Sequence, residues 1–119
     1  MQMLPANTTD ISHPDLFQLF LKQLKKDFEY SNINIDFVED LTADYDLILA
    51  ALAKQMNILI KNTNFKLNEL LYRIDISEQQ IAKINKAKPN TEFVLLISEL
   101  IIKRILQKVV IKEMHRKGN

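Results

Sequence analysis

The fold of this chain is decided by residues 93–111, which read FVLLISELIIKRILQKVVI. At about 100° per residue, the early apolar side chains of this run, such as Ile97 and Ile101, lie on one face of a helix. Ile105 and Val109, further along, lie on nearly the opposite face. A chain of this length can cover one apolar face with its other helices, and the second face therefore indicates an additional packing partner.

Length and composition favour a single helical domain. The chain has 119 residues, one glycine (Gly118), three prolines and no cysteine. Because it has only one glycine, the chain is not expected to form tight turns with positive φ or glycine-rich phosphate-binding loops. Without cysteine, it can form neither disulfides nor thiolate metal ligands. We expect helices joined by short polar links, in a reducing compartment such as the cytoplasm.

Apolar spacing and capping residues predict the helices one by one. The predicted spans start near Ser12 or His13 and reach Tyr30, then cover 42–62, 65–74, 78–87 and 91–117. The alternating residues 32–37 would also fit a short strand, but we predict a loop because one such patch cannot form a sheet. Ser77 and Gln80 have the spacing of a capping box before the fourth helix.

The predicted fold class is all-α, a single-domain bundle of four to five helices with helix 2 and the long C-terminal helix at its centre. Residues 1–11 are predicted to form a flexible N-terminal arm, and residues 12–117 the helical domain. In the core, we expect Leu52, Met56 and Leu59 to pack on Ile97, Leu100 and Ile101. The N-terminus lacks the pattern of a secretory signal, and the charges within 93–111 argue against a membrane span, so we expect a cytoplasmic protein.

Motifs for catalysis or metal binding are absent from the sequence. His13 and His115 have no metal-ligand spacing around them, and the acidic residues 39–46 lack the spacing and glycine of a calcium loop. No nucleophile elbow or glycine-rich phosphate loop occurs. We therefore predict that the protein is not an enzyme and needs no cofactor or metal.

The second apolar face of the last helix predicts a protein interface, unless the N-terminal arm or the first helix folds over it within the same chain. A small interaction or assembly module that forms a homodimer through this helix is the first functional prediction, and an unidentified protein partner is also compatible with it. The interface is predicted to contain Leu95, Ile102, Ile105, Leu106, Val109 and Val110.

Nucleic-acid binding is the alternative function. Residues 1–53 carry a net charge of −6 and residues 54–119 a net charge of +7, with the densest positive charge near the C-terminus. Residues 67–87 have the length of a helix-turn-helix, although the turn lacks the usual small residue and arginine is absent from the second helix. The predicted nucleic-acid contacts are Gln79, Lys83, Asn85, Lys86, Lys103, Arg104, Lys108, Lys112, Arg116 and Lys117.

Overall fold

The computed structural model shows an all-α bundle, which confirms the predicted fold class. It describes residues 11–62 and 64–117, except for the side chains of residues 64, 65 and 117. Within this part of the chain the helices are α1 (Pro14–Tyr30), α2 (Tyr45–Asn62), α3 (Asn64–Ile74), α4 (Glu78–Ala87) and α5 (Phe93–Lys117). A 3₁₀ helix, Asp36–Asp40, lies between α1 and α2 and includes the end of the predicted loop.

Local chemistry explains where α1 and α4 begin. Pro14 occupies the first turn of α1 together with Asp15, whose negative charge is favourable at a helix N-terminus. At α4 the capping box is present: Ser77 Oγ accepts from the backbone N–H of Gln80 at 3.2 Å, and Gln80 Oε1 accepts from the N–H of Ser77 at 2.7 Å. The predicted boundaries of both helices are thereby confirmed to within two residues.

Two helices end without glycine in left-handed backbone conformations. Asn32 after α1 has a φ of 58°, and Asp75 after α3 has a φ of 71°. In both cases the next residue closes the helix, because Ile33 N–H donates to Phe28 O at 2.9 Å and Ile76 N–H donates to Leu71 O at 2.8 Å. These bonds define Schellman motifs, and asparagine and aspartate tolerate the conformation better than other side chains do. The missing small residue in the 67–87 hairpin is therefore replaced by Asp75.

Helix α5 forms the centre of the bundle, and α2 packs on it most extensively, as predicted. Leu52 and Met56 of α2 are buried, as are Ile97 and Ile101 of α5. Leu100 also packs against this core, as predicted, but its side chain is half-buried and not wholly buried. Its side chain lines a groove between α4 and α5, where the short α4 covers it incompletely.

The expectation that the second face of α5 needs another protein to cover it is wrong. Ile102, Ile105 and Leu106 are fully buried within the single chain, and Val109 is 4% exposed. Helix α1 runs antiparallel to the C-terminal half of α5, and its apolar face joins Ile102, Ile105 and Leu106 in one core. Leu95 and Val110 complete the predicted interface and remain half-buried. The homodimer stays a prediction, but the apolar stripe on which it was based is not exposed.

The N-terminal boundary of the domain also differs from the prediction. Ile11, placed in the flexible arm, is 1% exposed and belongs to the core. Residues 1–10 of the predicted arm lie outside the described residues. Among the helices described, none combines the length and apolar character required to cross a membrane.

Candidate functional site

A buried carboxylate connects α1 with α5. Asp27 is 0% exposed, and its Oδ2 accepts a hydrogen bond from Lys108 Nζ at 2.9 Å. Its Oδ1 accepts from Gln23 Nε2 at 3.1 Å, and Gln23 Oε1 in turn accepts from Lys112 Nζ at 2.6 Å. Burying a carboxylate is costly unless it is paired and hydrogen-bonded, as here. This network aligns two helices whose sequences are about 80 residues apart.

Helix α3 contributes a second cation to the same carboxylate. Arg73 Nε lies 3.4 Å from Asp27 Oδ1, close enough for an ion pair but without hydrogen-bond geometry. The guanidinium carbon of Arg73 lies 3.7 Å from the centroid of the Tyr30 ring, a distance typical of a cation–π contact. Arg73 therefore connects the buried Asp27 with an aromatic ring at the surface.

Four cationic side chains from two helices line one groove beside this network. We call it the cationic groove; α1 contributes Lys22 and Lys26, and α5 contributes Lys112 and Arg116. Its volume is about 330 Å³, and Leu19 and Val109 form part of its wall. Glu113 is the one acid among its described lining residues, and its carboxylate accepts from Arg116 Nη2 at 2.7 Å. The groove therefore has an excess of positive charge.

The positive charges influence each other. Burial lowers the pKa of Lys112 first, and the neighbouring Lys26 and Lys108 lower it further, while Asp27 acts in the opposite direction. The pKa of Arg116 is raised by its hydrogen bond to Glu113 and by the charge of that carboxylate. An anion in the groove would relieve the repulsion among the lysines.

A second groove lies between α4 and α5. This α4 groove has a volume of about 370 Å³ and contains Lys83, Lys103 and Arg104. Arg104 already has partners, because its Nη2 lies 3.0 Å from Asp75 Oδ2 and its Nε donates to Ile74 O at 3.2 Å. Arg104 thus fixes the end of α3 against α5. Lys83 and Lys103 are the other two cations in this groove.

The residues predicted to contact nucleic acid do not form one surface. At about 100° per residue, the mean direction of Lys103 and Arg104 is roughly 150° around α5 from that of Lys112 and Arg116. Lys108 lies between them and is paired with Asp27. Lys117 ends α5, and its side chain lies outside the described part of the structure. A ligand that covers one groove therefore cannot lie flat on the other.

The predicted helix-turn-helix keeps its exposed polar side chains. Gln79, Asn85 and Lys86 are all exposed on α4. They are not among the residues that line the α4 groove, which contains Lys83. The hairpin therefore brings only one of its four predicted contacts next to the cations of α5.

An apolar groove lies at the start of α1 and the end of α5. Leu16, Leu19, Val110 and Met114 line it, and its volume is about 530 Å³. Val110 is thus the one residue of the predicted dimer interface that borders this groove. The groove shares Leu19 and Glu113 with the cationic groove.

Among the residues that the structure describes, no group of three or more histidine or acidic side chains could hold a metal ion. Comparison with protein-family models, with curated proteins and with solved structures gives no match to this chain.

Sequence reasoning missed Lys22, Lys26, Tyr30, Arg73 and Asp27. The first three occur at i, i+4 and i+8 in α1, a spacing that places them on one side of a helix. This signal was available from the sequence. The proximity of Lys22 and Lys26 to α5 was not, because it depends on the pairing of α1 with α5 across most of the chain.

Proposed function

We propose that this protein is a nucleic-acid-binding module whose contact surface is the cationic groove between α1 and α5. The observation that carries the proposal is the convergence of Lys22, Lys26, Lys112 and Arg116 in one groove. The single described acid there, Glu113, already pairs with Arg116. Phosphate groups are the common ligands of such clusters, and counterion release makes the contact favourable.

The proposed surface includes the basic end of α5, as in the sequence-based prediction, but its second element is α1 and not the hairpin 67–87. Lys22 and Lys26 of α1 lie opposite Lys112 and Arg116 of α5, so that a phosphate chain in the groove would have cations on both sides. Such contacts fix the position of a nucleic acid without reading its sequence. We therefore expect binding that depends strongly on salt and weakly on base sequence.

Binding of a labelled oligonucleotide at several salt concentrations tests the proposal. A variant with Lys22→Gln, Lys26→Gln and Lys112→Gln should bind weakly, and the salt dependence of log K should become shallower by about 2 to 3 units. The matched control is Lys54→Gln, Lys61→Gln and Lys88→Gln, which removes the same charge from exposed positions on α2 and just after α4.

The control should bind like the parent protein. An equal loss in both variants would mean that net charge alone attracts the oligonucleotide, without the groove. No binding by the parent protein at low salt would also contradict the proposal.

Self-association through the end of α5 is the second candidate function. It is supported by the apolar groove, where Val110 and Met114 remain half-buried beside Leu16. A second copy of the chain that packs there would cover this apolar surface. Sedimentation equilibrium tests it: Val110→Glu with Met114→Glu should convert a dimer to a folded monomer. A parent protein that is monomeric at all concentrations would overturn this candidate.

A further inference from the structure

Tyr30 lies about one turn beyond Lys26 on α1, next to the lysines of the cationic groove but outside the residues that line it. Lys22, Lys26 and Tyr30 follow at intervals of four residues, and the row is therefore about 12 Å long. Tyr30 is the last residue of α1 and is 69% exposed.

The ring of Tyr30 is held in place from one side. Arg73 lies over it at 3.7 Å and is itself paired with the fully buried Asp27. Because one face of the ring meets Arg73 and most of the residue is exposed, the opposite face is open to solvent. A ring fixed in this way loses little conformational entropy when a planar ligand stacks on it.

We propose that the nucleic acid bound in the cationic groove is single-stranded, with its phosphates on Lys22, Lys26 and Lys112 and one base stacked on the open face of Tyr30. This inference rests on the proposed function and names its substrate class. Cationic grooves with stacking aromatic rings are the usual device for single strands, because every base has a π-face. In a duplex the bases are already stacked on each other, so a duplex has no base to offer to Tyr30.

The electrostatic environment agrees with phosphate in this groove. The pKa of Lys112 is lowered by burial and by neighbouring cations that include Lys26 and Arg73. The positive charges of Lys26 and Arg73 therefore both act on the Lys112 ammonium group. A bound phosphate should raise the pKa of Lys112 again, which NMR titration of its Nζ can measure with and without the oligonucleotide.

Three ligands of equal length test the inference: an oligothymidylate strand, a single strand of abasic sites, and a duplex. The thymidylate strand should bind the parent protein about 5- to 150-fold more tightly than the abasic strand, which matches the contribution of one stacked base. Tyr30→Ala should lose this difference and bind both strands equally. Tyr30→Phe keeps the ring and should bind like the parent protein.

Tyr72→Ala is the matched control, because Tyr72 is 88% exposed and lies on α3 outside the row of α1. It should leave all three affinities unchanged. If Tyr30→Ala does not fold, the comparison of the thymidylate and abasic strands on the parent protein still decides the question.

Each outcome has a distinct meaning for the two proposals. Equal binding of the thymidylate and abasic strands, or tighter binding of the duplex, would overturn the single-strand inference while leaving the nucleic-acid function in place. Failure of all three ligands to bind at low salt would overturn the proposed function itself, and with it this inference.

Discussion

We expect the loss of the negative charge of Asp27 to destabilise the fold strongly. Asp27→Asn keeps the size of the side chain but leaves Lys108 and Arg73 without a counterion. The loss is costly because the side chains of these two cations are only 20% and 33% exposed. Removing one partner of a buried ion pair costs about 3–5 kcal/mol. Because both cations retain partial access to water and the amide oxygen can still accept a hydrogen bond, we expect about 3 kcal/mol for this variant.

Urea denaturation measures this cost as a shift of the midpoint at constant m-value. The melting temperature should fall by roughly 10 °C. Glu29→Gln, also on α1 but exposed, is the matched control and should change stability by no more than about 0.5 kcal/mol. In a double-mutant cycle, Lys108→Gln should cost less in the Asp27→Asn background than in the parent protein. An Asp27→Asn variant as stable as Glu29→Gln would refute the structural role assigned to this carboxylate.

Three further outcomes follow from burial and charge. Leu52→Ala should cost about 2–5 kcal/mol and Leu100→Ala about 1–2 kcal/mol in urea titrations, because only Leu52 is fully buried; equal costs would contradict this difference. Ile105→Glu with Val109→Glu should give an unfolded chain by circular dichroism, because both positions are buried. A folded variant would show that these two side chains lie at the surface. Burial, followed by Glu99 and Asp46, raises the pKa of Tyr45, so its contribution to stability is complete below about pH 10 and is lost as the pH rises through the folded pKa. Stability should therefore fall less between pH 9 and 12 in Tyr45→Phe than in the parent protein, and identical profiles would contradict this.

The helices could be predicted from the sequence because their signals are local. Capping residues, apolar periodicity and the position of Pro14 all act within one or two turns, and the observed boundaries follow them closely. The two apolar faces of α5 also predicted correctly that it lies at the centre. What periodicity could not tell is which element covers the second face, since α1 and a second protein chain would satisfy it equally well.

The candidate site was less accessible to sequence reasoning because it is assembled from distant segments. Lys108 and Lys112 were recognised as part of a basic helix end, whereas Asp27 looked like one acid in an acidic half of the chain. Only the antiparallel pairing of α1 and α5 shows that Asp27 neutralises Lys108 and that Lys26 faces Lys112. The charge asymmetry of the two halves is thus partly compensated within the fold.

The packing that removes the predicted dimer stripe also creates the cationic groove. When α1 covers Ile105 and Val109, it brings Lys22 and Lys26 alongside Lys112 and Arg116 of α5. Burying that stripe would require only the apolar side of α1, and neutral residues at its edge would avoid the repulsion between cations that, after burial, lowers the pKa of Lys112. Clustered like charges oppose folding, and a functional site is a frequent reason for a protein to retain them. Because the second face of α5 is buried, the charged groove at its edge is a better candidate for the functional surface than an apolar interface on that face.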